Sequence, residues 1–434
     1  MMPRSNTPTV PAAIIRILAS PRFAMSLTHV ALGVAFGIHL LRSVLGWAGL
    51  VAVLAGLVVL AAFSLAARRP STDWHGLLPI SILVVLGWSA LSTVWSGYTA
   101  LTLAGVGYQL AFAFLAVYIA LARDTIQIVR AAGDVLRLLL GLSLALEVFS
   151  GVLIDLPIPF LGIQGDLARF GPIQGIYGSR NVLGLVALIA LITFVVELRS
   201  RSLRRGPAIG SIWLAVLCLV LAGSPVVVLV AVFVGLASLA LYALRRTPAE
   251  SRWMLQLGLL GASLIAALTG WIARAPLIEL LNAGSEFGVR YRLWAEMMRL
   301  TGLHPLEGWG WVGYWPNNVT PYGWLDFVTG RDQTSGLNAF VDVYFQLGLV
   351  GLLAFTALVG LAFVRSWLLA SNKRPVVQVW PALILVALLV ASAAESTILV
   401  EFGWVLLLIC AVKASQGMSW RSSLKRHEHH PGSS

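Results

Sequence analysis

The chain has 434 residues, 59% of them hydrophobic and 11% charged, with a formal net charge of +12. A soluble domain carries roughly 25% charged residues, and no water-soluble fold of this size hides so much apolar side chain. The apolar residues come in continuous runs long enough for spanning helices; that excludes an alternating β-barrel, and a positive-inside topology explains the net charge without a nucleic-acid partner.

In chain order, residues 1–26 are broken by Pro3, Pro8, Pro11 and Pro21 and show no small-residue cleavage site, so the first apolar run is expected to be an uncleaved helix. Spanning helices are predicted at residues 27–43, 46–67, 77–95, 100–122, 134–154, 181–198, 208–223, 225–244, 254–273, 338–364, 376–394 and 396–413. The expected fold class is an all-α integral membrane protein of about twelve transmembrane helices. Residues 1–26 are then a cytoplasmic segment, and residues 27–273 carry helices one to nine with an external loop at 155–180. Residues 274–337 form a large external loop, 338–413 carry the last three helices, and 414–434 are a polar cytoplasmic tail. The histidines of that tail, His427, His429 and His430, read as solvated rather than metal-binding. Cys218 and Cys410 fall near opposite faces of the bilayer in this topology, too far apart for a disulfide.

Orientation follows from the loops. With the N-terminus in the cytoplasm, 22 of the 30 basic residues lie on the cytoplasmic side. The other eight are Arg42, Arg169, Arg180, Arg274, Arg290, Arg292, Arg299 and Arg331, and seven of these sit in the two long external segments. Long loops in a compact protein often carry function.

Five external clusters could carry chemistry. Gly178-Ser179-Arg180-Asn181 opens the sixth helix. Arg180 there either snorkels to headgroups or forms a phosphate site with the exposed N–H groups of the helix start. Glu286–Thr301 reads as a charged helix in which Arg290 and Trp294 share a face, with Arg292 beside them. Arg290 with Arg180 would bind a diphosphate and stabilise it as a leaving group; alternatively the stretch is a surface helix with Glu286–Arg290 and Glu296–Arg292 pairs. The run Gly308-Trp309-Gly310-Trp311 suits either an interfacial belt or a platform for sugar rings. Asn338, Asp342 and Gln346 make a polar stripe on an apolar helix, which is expected to face a cavity or partner. Glu395 and Glu401 are boundary acids, candidates for function or for pairing with the arginines.

On these residues the chain resembles the O-antigen ligase and polymerase family. Gly178–Asn181 is similar to the family's Gly-x-x-Asn helix start. Arg290-x-x-x-Trp294 followed by Pro305-Leu306-Glu307-Gly308-Trp309-Gly310 is similar to its Arg-x-x-x-Trp and Pro-x-x-Gly-x-Gly signature. Asn338 followed by Gly348-x-x-Gly351 is similar to its His-Asn-x9-Gly-x-x-Gly motif. The resemblance implies transfer of a glycan from an undecaprenyl-diphosphate carrier to a lipid, glycan or protein acceptor, outside the cytoplasmic membrane and with no cofactor. Arg180, Arg290, Asn338 and Asp342 are then the expected catalytic group. Asn181, Arg292, Trp294, Trp309, Trp311 and Glu395 are the expected substrate contacts. The family's histidine falls on Leu337, which can neither accept nor donate a proton. Asp342, Glu395, Asp332 and His304 are the alternative bases. Two other readings use the same residues: a transporter or flippase of lipid-linked saccharides, and a scaffold that has lost activity.

Overall fold

Within hydrocarbon a backbone satisfies its polar groups inside its own segment, so long apolar runs become helices. The computed structural model describes residues 12–68, 79–169, 171–248, 250–272 and 284–418. Among the described residues, eight helices are long and apolar enough to cross a bilayer. They are Ile38–Ala67, Thr99–Ala122, Thr125–Ile154, Arg180–Arg199, Arg205–Ala222, Pro225–Arg246, Ala339–Asn372 and Glu401–Met418. The helices Pro21–Phe36 and Arg252–Ile272 and the shorter apolar pieces Ile80–Val94 and Val376–Ala391 occupy the other expected stretches. The only extended pairing among these residues is a single bridge between Ile158 and Ile163. The chain is an all-α, multi-pass membrane protein. Phe63, Leu83, Leu138, Trp213 and Leu239 stand exposed on its sides, where lipid tails are as apolar as they are. The histidine-bearing tail, Arg274 and the start of the expected 274–337 loop lie outside the described residues.

Many basic residues cap one end of the bundle. There Arg68 donates to Ser20 O (2.6 Å), Arg245 to the carbonyls of Ala370 and Arg374, and Lys373 to Gly417 O (3.2 Å). The long connections meet at the other end. The stretch expected as a charged helix is observed as Gly284–Thr301, and a second short helix, Tyr322–Thr329, follows it. The two share a small core of Leu293, Met297, Trp315, Tyr322, Leu325 and Phe345.

Two spans are broken at glycines in the left-handed region. Gly46 (φ 68°) separates residues 38–45 from the rest of Ile38–Ala67, leaving a short segment at the end opposite the basic residues. Gly348 (φ 65°, ψ −166°) breaks Ala339–Asn372. An unbroken helix would bond the N–H of Leu349 to Phe345 O, and that of Val350 to Gln346 O. Instead those carbonyls accept from Trp309 N (3.1 Å) and Gly310 N (2.8 Å), while Leu349 N and Val350 N donate to Pro305 O (2.9 Å) and Leu306 O (3.3 Å). Two helical bonds are exchanged for four bonds to the loop. The indoles of Trp88 and Trp95 donate to Leu347 O (2.9 Å) and Glu307 O (3.1 Å) on either side of this joint. A Cβ on Gly348 would collide with Leu306 O, and one on Gly308 would lie 2.5 Å from Gly348 N. Glycine is therefore required on both strands of the crossing.

Candidate functional site

The approach to Arg180 is tied down from beneath. Glu147, buried in the span Thr125–Ile154, accepts from Gln174 N (2.8 Å) and Gly175 N (2.7 Å). Gly178, at φ 66°, then passes so close to His39 that a Cβ would lie 2.5 Å from the ring. The helix Arg180–Arg199 starts immediately after it, with Asn181 turned inward. Asn181 Nδ2 donates to Glu395 Oε1 (2.7 Å) and its Oδ1 accepts from Ser224 Oγ (2.7 Å).

Arg290 reaches the same carboxylate from the opposite wall. Only 8% exposed, it pairs with Glu395 (3.2 Å) and donates to Leu337 O (3.2 Å) and Ala394 O. One turn along, Trp294 Nε1 donates to Gly336 O (2.8 Å). The Arg-x-x-x-Trp spacing thus grips two successive carbonyls. Leu337 adopts φ 50°, an uncommon conformation for a residue with a branched side chain. The expected pairing of Glu296 with Arg292 is not formed: Glu296 instead binds Arg299 (2.6 Å) and the Trp324 indole (2.6 Å). Those two bonds, Arg299 foremost, hold the Glu296 carboxyl below its usual range. Arg292 is exposed, and Arg290 turns inward to Glu395, while the Glu286 side chain lies outside the described residues.

The polar stripe organises the loops. Asn338 Oδ1 caps the long helix, accepting from Phe340 N (3.0 Å) and Val341 N (3.1 Å). Asp342, with no exposed surface, accepts from Trp315 Nε1 (3.1 Å), Gln346 Nε2 (2.7 Å) and Gly336 N (3.0 Å). Gln346 Oε1 accepts from Val312 N (2.8 Å) and Gly313 N (3.1 Å). Buried polar atoms find partners, and here the partners are loop backbone and an indole.

These elements enclose a cavity of about 710 Å³. Of the residues singled out in the sequence, Asn181, Arg290, Asp342 and Glu395 line it, with Leu337, Asp332 and Glu401. Arg180, between the lining residues Ser179 and Asn181, is not part of the wall; neither are Asn338, Arg292, Trp294, Trp309 or Trp311. Among the lining residues that the sequence reading did not name as site residues are Arg331, Gln333 and, from the short segment before Gly46, His39 and Arg42. The signal for the last two was available, a polar pair three residues apart in an apolar run, hence on one helical face. The Arg42 guanidinium sits over the rings of Tyr314 (4.6 Å) and Trp47 (5.2 Å) and donates to Tyr314 OH (3.1 Å). Its Nη1 is buried without a hydrogen-bond partner, and the Glu401 carboxylate on the same wall acts on it through charge alone. Glu401 Oε1, on the same wall, accepts from Tyr108 OH (3.2 Å).

The two tryptophans of the Gly-Trp run part company. Trp311 is buried in the core. Trp309 lines a separate cavity of about 500 Å³ with Trp95, Tyr98, His304, Asn318 and Thr320. His304 lies edge-on to Trp309 and bonds Glu307 (3.1 Å), which holds the Glu307 carboxyl below its usual range. Burial pushes the Tyr98 hydroxyl up to about 12, opposed by its bond to Tyr322 (3.0 Å).

No protein-family model matches the chain, and a search of curated proteins finds no relative.

Proposed function

We propose that the chain is a glycosyltransferase of the O-antigen ligase type in a bacterial cytoplasmic membrane. It moves a glycan from an undecaprenyl-diphosphate carrier to a glycan, lipid or protein acceptor on the outer face. Both termini are cytoplasmic in this reading, because the basic end of the bundle then faces inward. The observation that carries the proposal is the pair of arginines, Arg42 and Arg290, in the cavity wall at the opposite end of the bundle. Arg42 there keeps an Nη1 that no hydrogen bond satisfies, and Arg290 shares one carboxylate with Asn181. A buried guanidinium N–H without an acceptor is costly, and a diphosphate oxygen brought into the cavity removes that cost. The same charges then stabilise the diphosphate as it leaves. Arg180, at the rim, adds to the field. Asn338, Asp342 and Trp294 serve as positioning residues. Trp309 with Trp95 and Tyr98 offers an aromatic wall for a sugar ring.

A broken helix is also a mark of transporters, and the break at Gly348 favours that second reading. Its freed backbone groups, however, are consumed by residues 305–310 and are not left open for a ligand. Purified protein supplied with native lipid-linked glycan and acceptor in detergent separates the two. Product formed with no gradient is expected, and its absence despite bound carrier would favour transport. Arg290→Ala and Arg42→Ala are each expected to lower transfer at least tenfold while the protein still inserts, so that lipid-linked glycan accumulates in cells. Normal transfer in both variants would remove the diphosphate site.

A further inference from the structure

The proposed transfer needs a group to take the proton of the acceptor hydroxyl, and position 337 carries leucine. Each acid of the cavity wall can be weighed. Asp342 accepts three hydrogen bonds and has no exposed surface. Glu395 is held by Arg290 and Asn181. Glu401 accepts from Tyr108, and Asp332 is exposed at the rim. His304 is on the other cavity.

His39 differs from all of these. Its Nε2 lies 3.2 Å from Leu161 O. A carbonyl only accepts, so Nε2 carries the hydrogen, and in the neutral ring Nδ1 keeps its lone pair. Nδ1 has no hydrogen-bond partner among the described residues and is not a sealed, buried atom. Leu161 is itself buried, so the carbonyl that sets the tautomer is fixed. The ring lines the cavity against Gly178, three residues from Asn181, where any larger residue would displace it.

We infer that His39 is the general base for the acceptor, a deduction that rests on the glycosyltransferase reading above. Nδ1 takes the hydroxyl proton as the acceptor oxygen bonds to the anomeric carbon. The bond from that carbon to the diphosphate oxygen breaks, and its electron pair leaves on the diphosphate beside Arg290 and Arg42. The proton then passes from His39 to the departing diphosphate or to water. Facing the ring across the cavity are Arg290, Glu395, Glu401, Arg331 and Asp332, with Arg42 three residues along its own segment.

The test compares wild type, His39→Gln, Glu401→Gln and Arg290→Ala, each as the full chain, in membrane vesicles from cells that supply their own lipid-linked glycan. Glutamine still has a donor for Leu161 O but no basic nitrogen. Transfer is read across pH, and binding of undecaprenyl diphosphate is measured separately in nanodiscs. The expected result for His39→Gln is binding within about twofold of wild type, transfer lower on the order of 10²-fold, and loss of the acidic limb of the pH–rate profile. Transfer within threefold of wild type with an unchanged profile would overturn the assignment. So would loss of binding together with transfer, or a loss confined to Glu401→Gln. A wild type that binds no undecaprenyl diphosphate and transfers nothing defeats the functional reading itself, whereas a working wild type matched by His39→Gln defeats only the base.

Discussion

A charged side chain sealed inside a helical bundle has to be explained by what it touches, and Asp342 touches three donors from three stretches of chain: the Trp315 indole, the Gln346 amide and the Gly336 backbone. Removing it leaves all three without an acceptor, and each unpaired buried donor costs about 1–3 kcal/mol. Asp342→Ala is therefore expected to lose roughly 3 kcal/mol or more of stability, with Asp342→Asn losing less because its oxygen still serves the indole. The midpoint of thermal unfolding in detergent, followed by tryptophan fluorescence, checks the order. Equal melting of both variants and wild type would show that the carboxylate does not hold the loops. The stripe Asn338–Asp342–Gln346 was legible in the sequence as polar residues on one face of an apolar helix. Their employment was not, because spacing along a helix does not say whether a cavity or a loop lies opposite. For the same reason Arg290 was legible as a candidate sharing a helix face with Trp294, while Glu395, more than a hundred residues away, could be read as a substrate contact, a base or a partner for one of the arginines, with no spacing to say which. His39 and Arg42 stayed hidden because the segment that carries them reads as the tail of an ordinary span.

At the scale of elements, the joint between residues 305–310 and the break at Gly348 ties the loop to the long helix a few residues before Gly313 and Tyr314 enter the cavity wall. Hydropathy reads a broken span and a continuous one alike, so the Gly348-x-x-Gly351 spacing could be matched to a family motif without revealing the break. Gly348→Ala places a side chain at φ 65° and against Leu306 O. The conformation alone costs about 1–3 kcal/mol, and the collision adds to it. The expected outcome is release of the loop: faster proteolysis between residues 302 and 336, with the rest of the bundle still inserted. A Gly351→Ala change meets Leu347 Cβ and also crowds the helix, but it should be milder because Gly351 does not carry the left-handed φ of Gly348. Equal protease resistance of Gly348→Ala and wild type would show that the loop is held by other contacts.

For the whole molecule, composition and run length carried the fold class, and the apolar stretches fall on helices close to where they were expected. What the sequence could not convey is which helices sit in the middle. Arg180–Arg199 and Glu401–Met418 are the most enclosed, with 72% and 67% of their most apolar windows buried, although Glu401–Met418 is the least apolar of the eight spans and both are less apolar than the lipid-facing Pro225–Arg246. Enclosure depends on partners, not on a segment's own hydropathy. Both central helices start at the cavity, so the most rigid part of the bundle supports Asn181 and Glu401. The proposed orientation has its own test at this scale. A reporter active only outside the cytoplasm is expected to be active when fused after Gly330 and silent when fused after Ser202. The reverse pattern would place the cavity on the cytoplasmic side and remove the proposed carrier from reach.

The joint at Gly348 also bears on how the protein is made. Residues 305–310 leave the ribosome before the helix into which they fit. Opened alone in hydrocarbon, that helix would expose two N–H groups and two carbonyls, each at a cost of several kcal/mol; closed, it exposes none. The span Ala339–Asn372 is therefore less costly to insert unbroken than opened, and residues 305–310 supply the partners that the opened form requires. The order of synthesis thus has the loop ready before the helix that it opens, and the exchange of two helical bonds for four leaves no backbone group of the joint unpaired.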